Sequence, residues 1–110
     1  MGKVILIQGD TLGRGDDTAG TLMIANFLRL LGSSGEKPEK IFLWNTGVKL
    51  ACEGSRVIEY MRELEQQGVE ILACTTCLEY FDLKDKQLVG KASTMAKSIE
   101  AMMNMDVVSL

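Results

Sequence analysis

The sequence predicts an α/β fold built on a mainly parallel sheet of about five strands, and three observations predict it. Short apolar runs alternate with amphipathic segments from one end of the chain to the other. Glycine and polar clusters punctuate them, as at Gly32 to Pro38 and at Gly68. No internal repeat or low-complexity stretch breaks the order. Strand and helix signals alternating at this spacing mark βα units, whose strands pair in parallel.

Residues 3–8 carry the run Val4-Ile5-Leu6-Ile7, a buried strand. The glycine-rich, acidic loop 9–17 follows and supplies an Asp cap for a helix over 18–31. That helix is apolar on most sides, which predicts a place between the sheet and a partner subunit. Gly32 closes it, ahead of the polar turn 33–38. Residues 40–44 form the second strand. An amphipathic helix over 55–67 puts Val57, Ile58, Met61 and Leu64 on one face and stops at Gly68. The third strand, 69–73, feeds a helix running from Cys74 through Phe81. A short strand at 89–92, a helix at 94–103 and a strand at 107–110 complete the pattern. Met95, Met102, Met103 and Met105 read as core filler or subunit contact.

Composition narrows the function. With 110 residues, 46% of them hydrophobic and 25% charged, the chain fits one domain, residues 1–110. Such a domain buries roughly 65% of its unfolded surface. A net charge of -3 and a pI near 4.9 leave no basic stripe for a phosphate backbone, so no nucleic-acid partner is expected. The apolar run at 4–7 is too short for a signal sequence or a membrane span. Leu6 stands where N-myristoylation needs Ser or Thr. A cytoplasmic protein without a membrane partner is the expectation, in a compartment where thiols stay reduced.

The chain has no histidine. That excludes Cys-His dyads, Ser-His-Asp triads and the commonest zinc ligand together. Two of the three cysteines, Cys74 and Cys77, lie about one helical turn apart where an apolar strand feeds a helix. Backbone N–H groups at a helix start favour a thiolate, the form that attacks sulfur or holds a persulfide. Tuning alone gives little rate: a thiol moved from a pKa of about 8.5 to about 7 gains roughly fifteenfold in thiolate at pH 7, and lost nucleophilicity leaves only about threefold.

A parallel sheet sends every strand-to-helix loop out at one edge, so loops 9–17 and 45–54 should converge on Cys74 to Cys77. They bring Arg14 and Lys49 as cations, opposed by Asp10, Asp16, Asp17, Glu53 and Glu79. Arg14, Gly47, Lys49 and Cys52 are the candidate binding residues on these loops. The alternatives are plain packing for Cys52, since free cysteine is often buried, and a solvated Lys49. Loop 9–17 lacks the glycine spacing of a phosphate cradle, and its carboxylates repel a pyrophosphate. Three cysteines fall short of a closed zinc site, and the sole proline, Pro38, is far from the pair, unlike the thioredoxin pattern. No metal and no cofactor is expected.

At these motifs the chain resembles the DsrE-like family over essentially its full length, and most of all the C-terminal DsrE-like half of the YedF type, labelled sulfurtransferase-like in selenium metabolism. The resemblance rests on Asp10-Thr11-Leu12-Gly13-Arg14-Gly15-Asp16-Asp17, on Asn45-Thr46-Gly47-Val48-Lys49-Leu50, on Glu53-Gly54-Ser55, and on Gly68-Val69-Glu70-Ile71-Leu72-Ala73-Cys74-Thr75-Thr76-Cys77-Leu78. It implies a three-layer α/β/α, YchN-like fold of flavodoxin-like layout, assembly into homo-oligomers, and members that relay sulfur as cysteine persulfides between proteins. Cys74 occupies the position of the carrier cysteine in the TusD type, and Cys77 matches a second cysteine of stand-alone members. The YedF type places a TusA-like domain ahead of this one, so a TusA-like protein is the implied sulfur donor or acceptor. The expected function is a small sulfur carrier with Cys74 and Cys77 as its catalytic pair. In that expectation Cys74 accepts sulfane sulfur, Cys77 assists or resolves it by closing a disulfide, and Arg14 or Lys49 steadies the anion. A non-catalytic oligomeric binding module and a dithiol redox protein are the alternatives.

Overall fold

The computed structural model describes residues 2–110. Five strands, β1 (Lys3–Ile7), β2 (Lys40–Leu43), β3 (Glu70–Cys74), β4 (Lys91–Ser93) and β5 (Asp106–Ser109), form one sheet in the order β4-β3-β2-β1-β5. All four pairings are parallel. The helices are α1 (Asp17–Ser33), α2 (Ile58–Gln66), α3 (Thr75–Tyr80) and α4 (Met95–Asn104), with a 3-10 segment at Asn45–Ala51. The predicted α/β class and parallel sheet are therefore present.

The three central strands read as continuous apolar runs because both of their faces are covered. Ile5, Ile7, Ile41, Leu43, Ile71 and Ala73 point to one side, where Ile24 and Leu28 of α1, Met61 and Leu64 of α2, and Leu78 of α3 meet them. Val4, Leu6, Phe42 and Leu72 point to the other side and pack with Ala101 of α4. Moving outward from β1 to β4 keeps the connections on the first face. The return from β4 to β5, across the whole sheet, carries α4 over the second face, as right-handed crossovers require. The result is a three-layer sandwich whose second helical layer is a single helix. On that face Glu70 is bridged by Lys40 and by Lys91 (3.1 Å), tying three adjacent strands together. Both lysines hold the Glu70 carboxyl below the usual carboxylate range. This support is present at neutral pH and is lost as pH falls through the lowered value.

Several boundaries differ from the sequence-based expectation. Helix α1 begins at Asp17, with Asp16 as its cap accepting the Ala19 N–H at 2.8 Å, and continues through Gly32 to Ser33. Gly32 keeps helical geometry, so the stop falls at Ser34, whose N–H returns to the Leu31 carbonyl. Helix α2 starts at Ile58 because the Ser55 hydroxyl accepts the Val57 N–H at 3.2 Å and holds the preceding residues in a turn. The short strand falls at 91–93 in place of 89–92, because Gly90 (φ 73°) turns the chain just before it. The methionines divide: Met102 and Met105 pack against the second core cluster, whereas Met95 and Met103 are exposed.

Gly90 also lies against the sheet, and a Cβ there would stand 2.2 Å from the Ile71 carbonyl oxygen. Gly90→Ala combines that clash with a left-handed backbone. It should lower stability by about 2–4 kcal/mol, read by urea unfolding, with the β4 edge loosening first in hydrogen exchange.

Candidate functional site

The predicted convergence of loops occurs at the C-terminal rim of the sheet. The Trp44 N–H donates to the Ile7 carbonyl (2.9 Å), which locks the exit from β2 beside the end of β1. The Asp10 N–H donates to Thr46 Oγ1 at 3.1 Å, joining loop 9–16 to the 3-10 segment. The Asn45 N–H donates to Cys77 Sγ at 3.1 Å, joining that segment to α3. Loops 9–16, 45–51 and 74–77 thus form one continuous surface held by backbone donors. Gly47 is buried where the 3-10 segment crosses β1, and a Cβ there would stand 2.7 Å from the Ile7 carbonyl oxygen. Its role is close packing, so the loop can reach the rim.

Cys74 is the last residue of β3 and the N-cap of α3. It is therefore part of the strand, and the helix begins one residue later than expected. The adjoining Thr75 hydroxyl donates to the Ser93 carbonyl at 3.0 Å, fastening the start of α3 to β4. Cys74 exposes only 8% of its surface and belongs to the main core cluster. Cys77 is half-buried and is the more accessible thiol. The expected rim position thus describes Cys77 better than Cys74, because strand alternation and the packing of α3 draw the first sulfur inward.

The donor to sulfur is also different from the one expected. It is the Asn45 amide, thirty-two positions away in sequence, in place of the first turn of α3. Asn45 holds φ 54°, a left-handed conformation that asparagine tolerates better than most residues. Burial pushes the Cys77 thiol up and the neighbouring Cys74 thiol adds to the rise, while the Asn45 N–H opposes both. All three cysteines are free.

Cys52 exposes 1% of its surface and donates its S–H to the Val48 carbonyl at 3.2 Å. Burial raises this thiol too. The packed alternative is the one the structure shows, and Cys52 is no third exposed nucleophile. Lys49 extends over the Phe81 ring, its Nζ 4.8 Å from the centroid. Arg14 is exposed on loop 9–16, and among the described residues it forms no ion pair. Glu79 faces Lys84 at 3.8 Å.

A cavity of about 720 Å³ opens beside this surface, between α1, the 3-10 segment and α2. Asp10, Lys49, Arg56, Tyr60 and Phe81 line it together with Cys52, but Cys74 and Cys77 do not. The sequence-predicted residues therefore separate into two places. Cys74 and Cys77 meet at the end of β3, and Lys49 and Cys52 border the cavity. Phe81 connects them: its N–H donates to the Cys77 carbonyl at 3.0 Å, and its ring lies under Lys49. Asn45 and Phe81 are the members of the site that sequence reasoning assigned no role. The readable signal for Asn45 was an asparagine directly after a strand, a residue type suited to a left-handed turn.

The geometry agrees with the comparisons. The fold is similar to a protein of unknown function, MTH1491, from Methanobacterium thermoautotrophicum, at 21% identity, with 98% of this chain and 97% of that chain covered and a TM-score of 0.70. It is also similar to the ychN protein from E. coli, at 14% identity over 100% of both chains with a TM-score of 0.72. BT1422 from Bacteroides thetaiotaomicron, of unknown function, matches at 21% identity over 98% of this chain and 94% of that one, with a TM-score of 0.68. Comparison with curated proteins finds no match. The profile of the DsrE/DsrF-like family matches residues 3–108, and with nearly every residue included the chain belongs to that family.

Proposed function

We propose that this protein is a sulfur carrier that holds sulfane sulfur as a persulfide on the Cys74–Cys77 dithiol. The observation that carries the reading is the pair itself. Two free thiols meet at the end of a central strand, and the sulfur of one already accepts a backbone N–H at 3.1 Å. A persulfide is anionic at neutral pH with its charge on the outer sulfur, and a donor fixed by the fold on the inner sulfur stands one bond from that charge without reorganising. Phe81 and Lys49 stand beside the pair at the cavity, the lysine over the ring, with the Phe81 N–H bonded to the Cys77 carbonyl. Family membership and the YedF-like motifs support sulfur relay within the cytoplasm, with a TusA-like protein as donor or acceptor. The exposed Leu22, Met23 and Leu30 on α1 support a homo-oligomer that covers them.

Incubation with a sulfane donor, quenched at early times and read by intact mass, should show one added sulfur atom on the native chain before any is discharged. Replacing both Cys74 and Cys77 with serine should abolish the gain. A native chain that at no time gains sulfur and releases no sulfide contradicts the proposal.

The second reading, an oligomeric binding module, is favoured by the cavity that lies apart from the cysteines. Thiol titration separates the two. The carrier reading requires Cys77 to react in the native state and Cys52 only after unfolding. Because the Cys77 thiol is raised, its alkylation rate should keep climbing above pH 8.5, the usual thiol value of about 8.5. The sign for stability is the reverse: a raised thiol contributes stability below the unfolded value, and that contribution is lost as pH rises through the folded one. Native cysteines that all resist alkylation would favour the binding module.

A further inference from the structure

We infer that the two thiols have separate tasks: Cys77 takes up the sulfur, and the buried Cys74 discharges it as hydrosulfide by closing a disulfide. The inference rests on the carrier reading and specifies which thiol acts and what leaves.

Burial sets the order. An incoming donor meets Cys77, which is half-exposed and held by the Asn45 N–H, whereas Cys74 offers 8% of its surface. At that burial a partner protein's thiol meets Cys77 before Cys74, and the sulfur beside Cys74 is that of Cys77. Cys74 caps the first turn of α3 and Cys77 is the third residue of that helix, with their side chains already interacting, and closing a disulfide brings the Cβ atoms to about 3.5–4.5 Å. The spacing from N-cap to third helical residue therefore allows the bond. Because Cys74 is tethered, it competes with free thiols at a high effective concentration.

The chemistry balances in two steps. The Cys77 thiolate attacks a sulfane sulfur of a polysulfide. A sulfur–sulfur bond of the polysulfide breaks, and the shortened polysulfide leaves with the electron pair. Cys74 then attacks Cys77 Sγ and forms the Cys74–Cys77 bond. The bond from Cys77 Sγ to the outer sulfur breaks, and the outer sulfur departs as hydrosulfide, taking up the proton that Cys74 gives up. The sulfane sulfur is reduced and the two cysteines are oxidised. An external dithiol must reduce the pair before another cycle.

The test loads the wild-type chain, Cys74→Ser, Cys74→Ala and Cys77→Ser with inorganic tetrasulfide under anaerobic conditions. After desalting, free sulfide and intact mass are followed. Circular dichroism checks that each variant is folded, and the two Cys74 variants guard against the effect of a hydroxyl in the core. Wild type should release about one hydrosulfide per chain and end two hydrogens lighter than the reduced protein. The folded Cys74 variant should keep the added sulfur, with release slowed at least about tenfold, and Cys77→Ser should load at least about tenfold more slowly. Loading of Cys77→Ser at the wild-type rate overturns the assignment of entry. Wild type that loads and keeps its sulfur overturns the discharge step alone. Wild type that takes up no sulfur overturns the carrier reading beneath both.

Discussion

The parallel register of β1, β2 and β3 is the constraint on which the rest of the structure depends. Leu43 lies beside Ile7 and beside Ala73, so three strands end level with one another. Each chain exit then occurs at the same rim, and the exits can hold one another through backbone bonds. A shift of one residue in any of the three would turn its apolar side chains from one helical layer to the other. It would also carry Asn45 away from Cys77. Core packing on both faces is thus what fixes the distance between a backbone amide and a sulfur atom.

That link explains how a short helix can host a dithiol in a chain with no histidine to serve as its base. A hydrogen bond of this kind contributes about 0.5–1.5 kcal/mol, less than burial of a charged thiolate costs. The net effect on Cys77 is accordingly an upward shift. A resting site of this sort holds a protonated thiol, and the amide gains importance when a more acidic persulfide forms. Reactivity comes from placing one sulfur at the surface and another beneath it, and strong activation of either thiol is not required.

Much of the fold was legible because β1, β2 and β3 are apolar on both faces and α2 has a clear apolar stripe. The convergence of loops followed from parallel topology, and the packing of Cys52 from its residue type. The ends of α1 and α2 were less legible, because a glycine can keep helical geometry and a serine can hold a turn inside an expected helix. The burial of Cys74 and the donor at Asn45 were hidden for another reason. Both arise from contacts between segments distant in sequence, and spacing within one motif carries no record of them. The cavity that separates Lys49 from the cysteine pair is of the same kind.

The central claim is that the Asn45 amide holds the sulfur of Cys77, and nuclear magnetic resonance of that amide tests it most directly. Its proton signal should move strongly when Cys77 is persulfidated or deprotonated, and the amide should be protected from solvent exchange in the reduced protein. An Asn45 signal that ignores the state of Cys77, or an amide that exchanges as freely as an open loop, would contradict the account.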